Sequence, residues 1–215
     1  MQVLERRALL HPDAFAHMRA NVLELYAEAT DAECYAGRAW YPDARAIIRA
    51  WSLHYATPAN VIANVLAVCS PQMSWERNLI VADDIIAGMP PSIGMLQANR
   101  LKAESIRDAS FGGDLAQRVP YGLKVQSFAA NLKGYVNVVT IDTHAIQAAL
   151  GNPTVSCGLK PRAYAEFARV YLAGAFETDE LPCAFQAIVW LVWRRLYAPA
   201  SKRSILRSLK KGRTS

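Results

Sequence analysis

The sequence lacks the long apolar segments that would place the protein across a membrane. No stretch of about 18 residues is both apolar and free of charge. The apolar run at residues 185–192 is too short to span a bilayer, and Arg194 and Arg195 follow it closely. Residues 1–7 lack the apolar core of a signal peptide. We therefore expect a cytoplasmic protein that does not bind a membrane.

Paired cysteines and clustered histidines are also missing. The four cysteines form no C-x-x-C pair and lie far apart, at Cys34, Cys69, Cys157 and Cys183. Reduced thiols are the simplest interpretation of that spacing. The four histidines form no cluster with metal-ligand spacing. The sequence thus predicts neither a metal site nor a disulfide framework, and we expect no cofactor.

The sequence does contain a large apolar fraction and an uneven distribution of charge. With 215 residues, 53% of them apolar, the chain is long enough to bury a substantial core. The net charge of +6 comes from residues 202–215, which lack acidic residues and contain Lys202, Arg203, Arg207, Lys210, Lys211 and Arg213. Such a segment can neutralise phosphates. A solvated terminus that only aids solubility is the alternative.

Apolar residues at helical spacing dominate the sequence. In the first half of the chain, helices are predicted at residues 13–29, after Trp40-Tyr41-Pro42, from an N-cap at Thr57 to residue 68, from an N-cap at Ser74 to residue 87, and at residues 95–109. In the second half, helices are predicted at residues 124–133, from Asp142 to residue 150, from Pro161 onward and from Pro182 onward. Only residues 136–141 look strand-like, and a single strand has no partner. The predicted fold class is all-α.

The order of these helices predicts one globular unit over residues 1–201, with two lobes and a basic tail at residues 202–215. One lobe is a middle bundle at about residues 57–135. The other lobe combines residues 1–56 with residues 136–201. We expect a central cleft where the helices that begin near Lys124 and Asp142 open.

Lys124 and Asp142 form the most informative pair of residues. Lys124 stands at the start of one predicted helix, and Asp142 stands at the start of the next. A cation near a helix N-terminus is disfavoured by about 0.3–1 kcal/mol. A lysine that faces a carboxylate is an amine nucleophile beside a group that can take its proton. The alternatives are an exposed surface lysine and an aspartate that only caps its helix.

Five segments, in this order, resemble the helix-hairpin-helix DNA glycosylase superfamily, particularly its endonuclease III branch. They are residues 65–72, 102–106, 122–124, 141–144 and 185–193. The first three are similar to the family's apolar helix ending in Ser-x-Gln, its Lys-Ala-Glu-x-Ile segment and its hairpin Gly-x-Lys. The fourth resembles its Val-Asp-Thr-His element, and the fifth its late apolar helix. Pro120 replaces a hairpin glycine, so the helix-hairpin-helix element is degenerate.

The resemblance implies a DNA glycosylase, with possible AP-lyase activity, that excises a damaged or modified base through a lysine Schiff base. In the family the lysine attacks the sugar C1′ and the aspartate assists, which gives the catalytic roles to Lys124 and Asp142. The implied DNA contacts are Gln72, Lys102, Tyr121, Gly122, Lys202, Arg203, Lys210 and Lys211. The implied base pocket is Trp75, Phe128 and His144. Many relatives carry a four-cysteine iron–sulfur cluster, which the cysteine spacing here does not predict.

The sequence leaves two other functions open. Enzymes that hypermodify thymine in phage DNA resemble these glycosylases and join an amine to an activated pyrimidine methyl group. A non-catalytic DNA-binding protein is the third hypothesis. For individual residues, Gln72 can be an ordinary loop glutamine, and Trp75, Tyr121 and Phe128 can be core aromatic residues. We expect a monomer whose partner is DNA.

Overall fold

The secondary structure is helical wherever the structure describes the chain. The computed structural model describes residues 12–109, 122–156 and 158–211, with side chains as far as residue 197. The helices in these ranges are α1 (Pro12–Ala27), α2 (Asp31–His54), α3 (Ala59–Cys69), α4 (Trp75–Ile86), α5 (Gln97–Ala109), α6 (Leu123–Lys133), α7 (Thr143–Leu150), α8 (Pro161–Glu177) and α9 (Pro182–Lys211). These ranges contain no strand. The all-α prediction is confirmed for them.

The helices group into two compact units, and the division falls within α2. We call Tyr41–Val138 the middle unit, and Met1–Trp40 together with Val139–Ser215 the terminal unit. In the middle unit, α3 packs against α4, α5 and α6. In the terminal unit, α1 packs against α7, α8 and α9. The first helix and the last three helices of the described chain therefore share one core.

Helix α3 is the centre of the middle unit. All nine residues from Val61 to Cys69 are buried, whereas a surface helix buries only one stripe of side chains. The apolar run in the sequence is thus explained by a helix with neighbours on every side. Burial raises the pKa of the Cys69 thiol to about 12, which disfavours its reactive thiolate form near neutral pH. Gln72 lies in the short connection between α3 and α4.

The core of the terminal unit is built around buried aromatic side chains. The ring of Phe185 stacks on that of Tyr26 at 5.2 Å and meets that of Tyr171 edge-on at 6.2 Å. Gly37 lets α2 approach α9, because a Cβ at this position would lie 2.8 Å from the backbone nitrogen of Ile188. These contacts join α1, α2, α8 and α9 into one packed body.

The prediction that a helix begins after Pro42 is wrong. Pro42 lies inside α2, which begins at Asp31. A proline inside a helix removes one backbone hydrogen bond and crowds the preceding turn. Burial of Tyr41, Ala44 and Ile48 on the same helix offsets that cost. The helical pattern therefore continues through a residue that usually interrupts it.

The prediction that Thr57 caps the next helix is also wrong. The Thr57 hydroxyl donates to the carbonyl oxygen of Tyr55 at 3.1 Å, and the carbonyl of Thr57 accepts from the Ser52 hydroxyl at 2.7 Å. Pro58 takes the N-cap position of α3 and makes no side-chain hydrogen bond there. The threonine is thus used to close the end of α2.

Residues 136–141, which look strand-like in the sequence, form a turn followed by irregular backbone. The Asn131 amide donates to the carbonyl oxygens of Tyr135 and Val138 at 2.9 and 2.8 Å. The N–H of Ile141 donates to the Tyr164 hydroxyl at 3.1 Å. Side chains thus satisfy backbone hydrogen-bonding groups that a neighbouring strand would otherwise have to satisfy. The backbone that leads to Asp142 is fixed in this way.

Helix α9 is the longest helix of the described chain, with 30 residues. It continues to Lys211, so the backbone of residues 202–211, in the predicted basic tail, is helical. The side chains of Lys202, Arg203, Lys210 and Lys211 lie outside the described part, as does the whole of residues 212–215. Over the described ranges, no helix combines the length and apolar character needed to cross a membrane.

Candidate functional site

Lys124 lies in the first turn of α6, two positions after a glycine whose backbone conformation other residues rarely adopt. Gly122 is the N-cap of α6, with φ of 56° and ψ of 144°. A Cβ at Gly122 would meet nothing within 4 Å, so the backbone and not the packing requires glycine here. The Lys124 side chain is half-buried. The Gly-x-Lys element is therefore a helix start with lysine on its first turn.

Asp142 is the N-cap of α7, as its position in the sequence predicts. Its Oδ1 accepts a hydrogen bond from the N–H of Ala145 at 2.8 Å. The hydroxyl of Tyr171 donates to the carbonyl oxygen of Ala145 at 2.9 Å. Burial, and to a smaller extent the charge of Asp142, raise the pKa of Tyr171 well above its ordinary value. The carboxylate is thus half-buried and held in place, with Oδ1 engaged in the cap.

The predicted site residues are distributed over both units. The middle unit contains Gln72, Trp75, Lys102, Gly122, Lys124 and Phe128, and the terminal unit contains Asp142 and His144. Tyr121 lies outside the described residues.

Gln72 occupies the third position of a tight turn between α3 and α4. The N–H of Met73 donates to the carbonyl oxygen of Ser70 at 3.2 Å, which closes the turn. Pro71 stands at the second position, and Gln72 has a φ of 64°. Proline followed by a positive φ is the pattern of a type II turn, whose third position favours glycine or asparagine. A glutamine there is exposed and carries backbone strain of about 1–2 kcal/mol.

Replacing Gln72 with glycine is expected to leave the free energy of unfolding unchanged or to raise it by up to about 1 kcal/mol. Glycine adopts a positive φ without strain, although it also gains freedom in the unfolded chain. Ala56→Gly is the matched control, since Ala56 is exposed in the same unit with a φ of 48°. Urea denaturation of both variants measures the effect. A loss above about 1 kcal/mol in Gln72→Gly alone would show that the glutamine side chain serves stability.

Phe128, Trp75 and Lys102 have different surroundings. Phe128 is buried, and its ring lies 6.4 Å from the ring of Tyr41. It therefore packs in the core of the middle unit and presents no open face to a base. Trp75 is half-buried at the first position of α4, next to the Ser74 cap, whose hydroxyl accepts from the N–H of Arg77 at 3.4 Å. Lys102 is half-buried on α5.

His144 is held by a glutamine that the sequence did not single out. The Gln147 amide nitrogen donates to the carbonyl oxygens of Pro153 and Val155 at 3.0 and 2.9 Å. This fixes the amide orientation, so Gln147 Oε1 is an acceptor. It accepts from Trp193 Nε1 at 3.3 Å and lies 3.2 Å from His144 Nδ1. Nδ1 of His144 therefore carries a hydrogen, and Nε2 is the acceptor of the neutral ring.

Replacing Asp142 with alanine is expected to cost about 0.5–2 kcal/mol of stability, because the cap to Ala145 is lost. Asp142→Asn keeps a capping oxygen and is expected to unfold within a few tenths of a kcal/mol of the unmodified protein. Urea denaturation followed by circular dichroism compares the two. Equal losses in both variants would mean that the charge, and not the cap, stabilises α7.

A surface pocket of about 510 Å³ lies beside the start of α5 and is lined by Pro91, Ile93, Gly94, Met95, Gln97, Arg100 and Leu101. None of the predicted site residues lines it. Within the described ranges, no group of three or more histidine, cysteine, aspartate or glutamate side chains has a geometry suited to a metal ion.

Comparison with known proteins gives a family but no described activity. No curated protein and no solved structure matches the chain. A family model described as a family of unknown function, DUF7178, matches residues 7–196. This match includes the helix start at Lys124, the cap at Asp142 and the turn at Gln72. The chain therefore belongs to the DUF7178 family.

Proposed function

We propose that the protein is a DNA glycosylase with AP-lyase activity, on a two-lobed helical fold with a degenerate helix-hairpin-helix element. The observation that carries the proposal is the start of α6. Gly122 has a backbone conformation that favours glycine, and Lys124 follows on the first helical turn. A helix start of this kind presents backbone N–H groups suited to a phosphate. A lysine on the same turn is then close to the sugar that the phosphate belongs to.

Two further features support the proposal. Asp142 is a fixed carboxylate in the element that resembles Val-Asp-Thr-His, and its cap leaves Oδ2 without a hydrogen bond among the described residues. Gln72 is exposed at the tip of a strained turn, and strained backbone is enriched at functional sites. In the proposed reaction Gln72 fills the space in the base stack left by an extruded nucleotide.

The reaction proceeds through a covalent intermediate. The neutral amine of Lys124 attacks C1′, the bond from C1′ to the base breaks, and the leaving base takes up the proton that the amine gives up. In the family that the chain resembles an aspartate assists this step, and Asp142 is the residue that corresponds to it. Opening of the sugar ring gives a Schiff base between Lys124 and C1′. Loss of a C2′ proton then expels the 3′ phosphate, and water releases the lysine.

Borohydride trapping tests the proposal directly. Borohydride reduces a Schiff base to a stable amine, so a duplex with one abasic site should become covalently attached to the protein. Duplexes with different damaged or modified bases then identify the excised base. Absence of any trapped complex, on abasic and damaged duplexes alike, would refute the lyase mechanism. Transfer of an amine to a pyrophosphorylated thymine, without strand cleavage, would support a base-modifying enzyme instead.

A further inference from the structure

A cation, an indole and an imidazole lie together in the terminal unit. The guanidinium carbon of Arg194 lies 4.4 Å from the centroid of the Trp190 ring, over its face. The ring of His144 meets Trp190 edge-on, with ring centroids 6.3 Å apart. Trp190 and Arg194 are one turn apart on α9, and His144 is in the first turn of α7. We call these three residues the Trp190 cluster.

The cluster is held by hydrogen bonds that extend to the backbone. Gln147, fixed by two carbonyl oxygens, binds both His144 and Trp193 through Oε1. His144 in turn contacts the ring of Trp190, and the guanidinium of Arg194 lies over the face of that ring. A guanidinium placed over a fixed ring loses less freedom when it binds a ligand than one on a free side chain. The cluster is therefore organised before any ligand arrives.

Arg194 differs from four other arginines of the same unit. Arg19, Arg38, Arg169 and Arg195 each form an ion pair with a glutamate. Within the described residues no carboxylate pairs with Arg194, which is exposed. Its charge is thus available to an anion from outside the chain. A planar guanidinium binds phosphate oxygens through two parallel N–H groups.

We propose that the Trp190 cluster binds a backbone phosphate of DNA, through Arg194 placed on Trp190. This rests on the proposed function, which makes DNA the ligand. The charge balance of the chain favours this assignment, because six of its 24 basic residues lie in residues 202–215 and the remaining 18 are matched by 18 acidic ones. Phosphate contacts in the body of the protein must then come from local unpaired cations and not from an overall positive charge.

The test is equilibrium binding of a fluorescent duplex that carries an uncleavable abasic analogue, measured by anisotropy at several salt concentrations. Arg194→Gln should weaken binding about 3–30-fold and reduce the slope of log K against log salt by about one. Arg194→Lys should keep the slope but not the full affinity. Trp190→Leu should weaken binding with a smaller change of slope.

Arg169→Gln is the matched control. Arg169 also lies over an aromatic ring, with its guanidinium carbon 5.5 Å from the centroid of Phe15, but it pairs with Glu166 at 3.2 Å. Its replacement should leave the salt slope unchanged. An equal fall in slope for both variants, or no binding by the unmodified protein, would overturn the proposal.

The source of the phosphate and the proposed function are tested separately. Inorganic phosphate at constant ionic strength should not displace the duplex. If it does so only when Arg194 is present, the cluster binds free phosphate, and its assignment to a DNA backbone phosphate is wrong. Trapping with unchanged binding in Arg194→Gln would overturn the phosphate site and leave the glycosylase standing. Arg194-dependent binding without any trapped complex would support the phosphate site and refute the glycosylase.

Discussion

Lys124→Ala is expected to lower the yield of borohydride-trapped complex on the order of 10³-fold or more, because the amine that forms the Schiff base is removed. Binding of the uncleavable abasic duplex should change much less, since one charge of several is lost. The side chain is half-buried at the first turn of α6, and a cation there does not stabilise the helix. The variant should therefore fold, and circular dichroism checks this.

Lys133→Ala is the control that decides which lysine reacts. Lys133 ends the same helix, and partial burial lowers the pKa of its amine. It is therefore the rival nucleophile on α6, although about nine residues, or some 13 Å of helix, separate it from Lys124. Full trapping in Lys133→Ala and none in Lys124→Ala is the expected pattern. The opposite pattern would transfer the covalent step to Lys133.

Phe185→Ala is expected to destabilise the protein by about 3–5 kcal/mol. The Phe185 side chain is 0% exposed and packs against Tyr26 and Tyr171, which belong to α1 and α8. Truncation removes both aromatic contacts and leaves a cavity where α1, α8 and α9 meet. Urea denaturation of the purified variant measures the loss, with expression at low temperature if it is poorly soluble.

Phe176→Ala is the matched control, since Phe176 is 88% exposed on α8. Its removal should change the free energy of unfolding by less than about 0.5 kcal/mol. If both variants lost the same stability, Phe176 would have to be covered, and the packing described for the terminal unit would be wrong. A loss below about 1 kcal/mol in Phe185→Ala would contradict a tightly packed core at that position.

Local signals in the sequence predict most helix boundaries. Ser74 and Asp142 are found as N-caps, and Gly88 and Gly151 have the positive φ that ends a helix. Each of these positions is governed by its own few neighbours, so a short window of sequence contains the information. Pro42 shows the limit, because burial of Tyr41, Ala44 and Ile48 outweighs the local preference of a proline.

The candidate site is less predictable for the same reason. Asp142 is recognisable because capping is local. The type II turn at Gln72 was detectable from Pro71, but a glutamine with positive φ is not what such a turn favours. The spacing of Trp190 and Arg194 was visible as one helical turn. The contact of Trp190 with His144 depends on the packing of α7 against α9, which periodicity within one segment does not reveal.

The sharing of one core by α1 and the last three helices has a consequence for synthesis on the ribosome. The middle unit has all its residues once Val138 has emerged, whereas α1 has to wait for α7, α8 and α9. During that interval Met18, Val22 and Leu25 of α1 have no permanent partners. The nascent chain thus carries an uncovered apolar stripe until α9 has emerged, and we expect chaperone binding or aggregation chiefly in that interval.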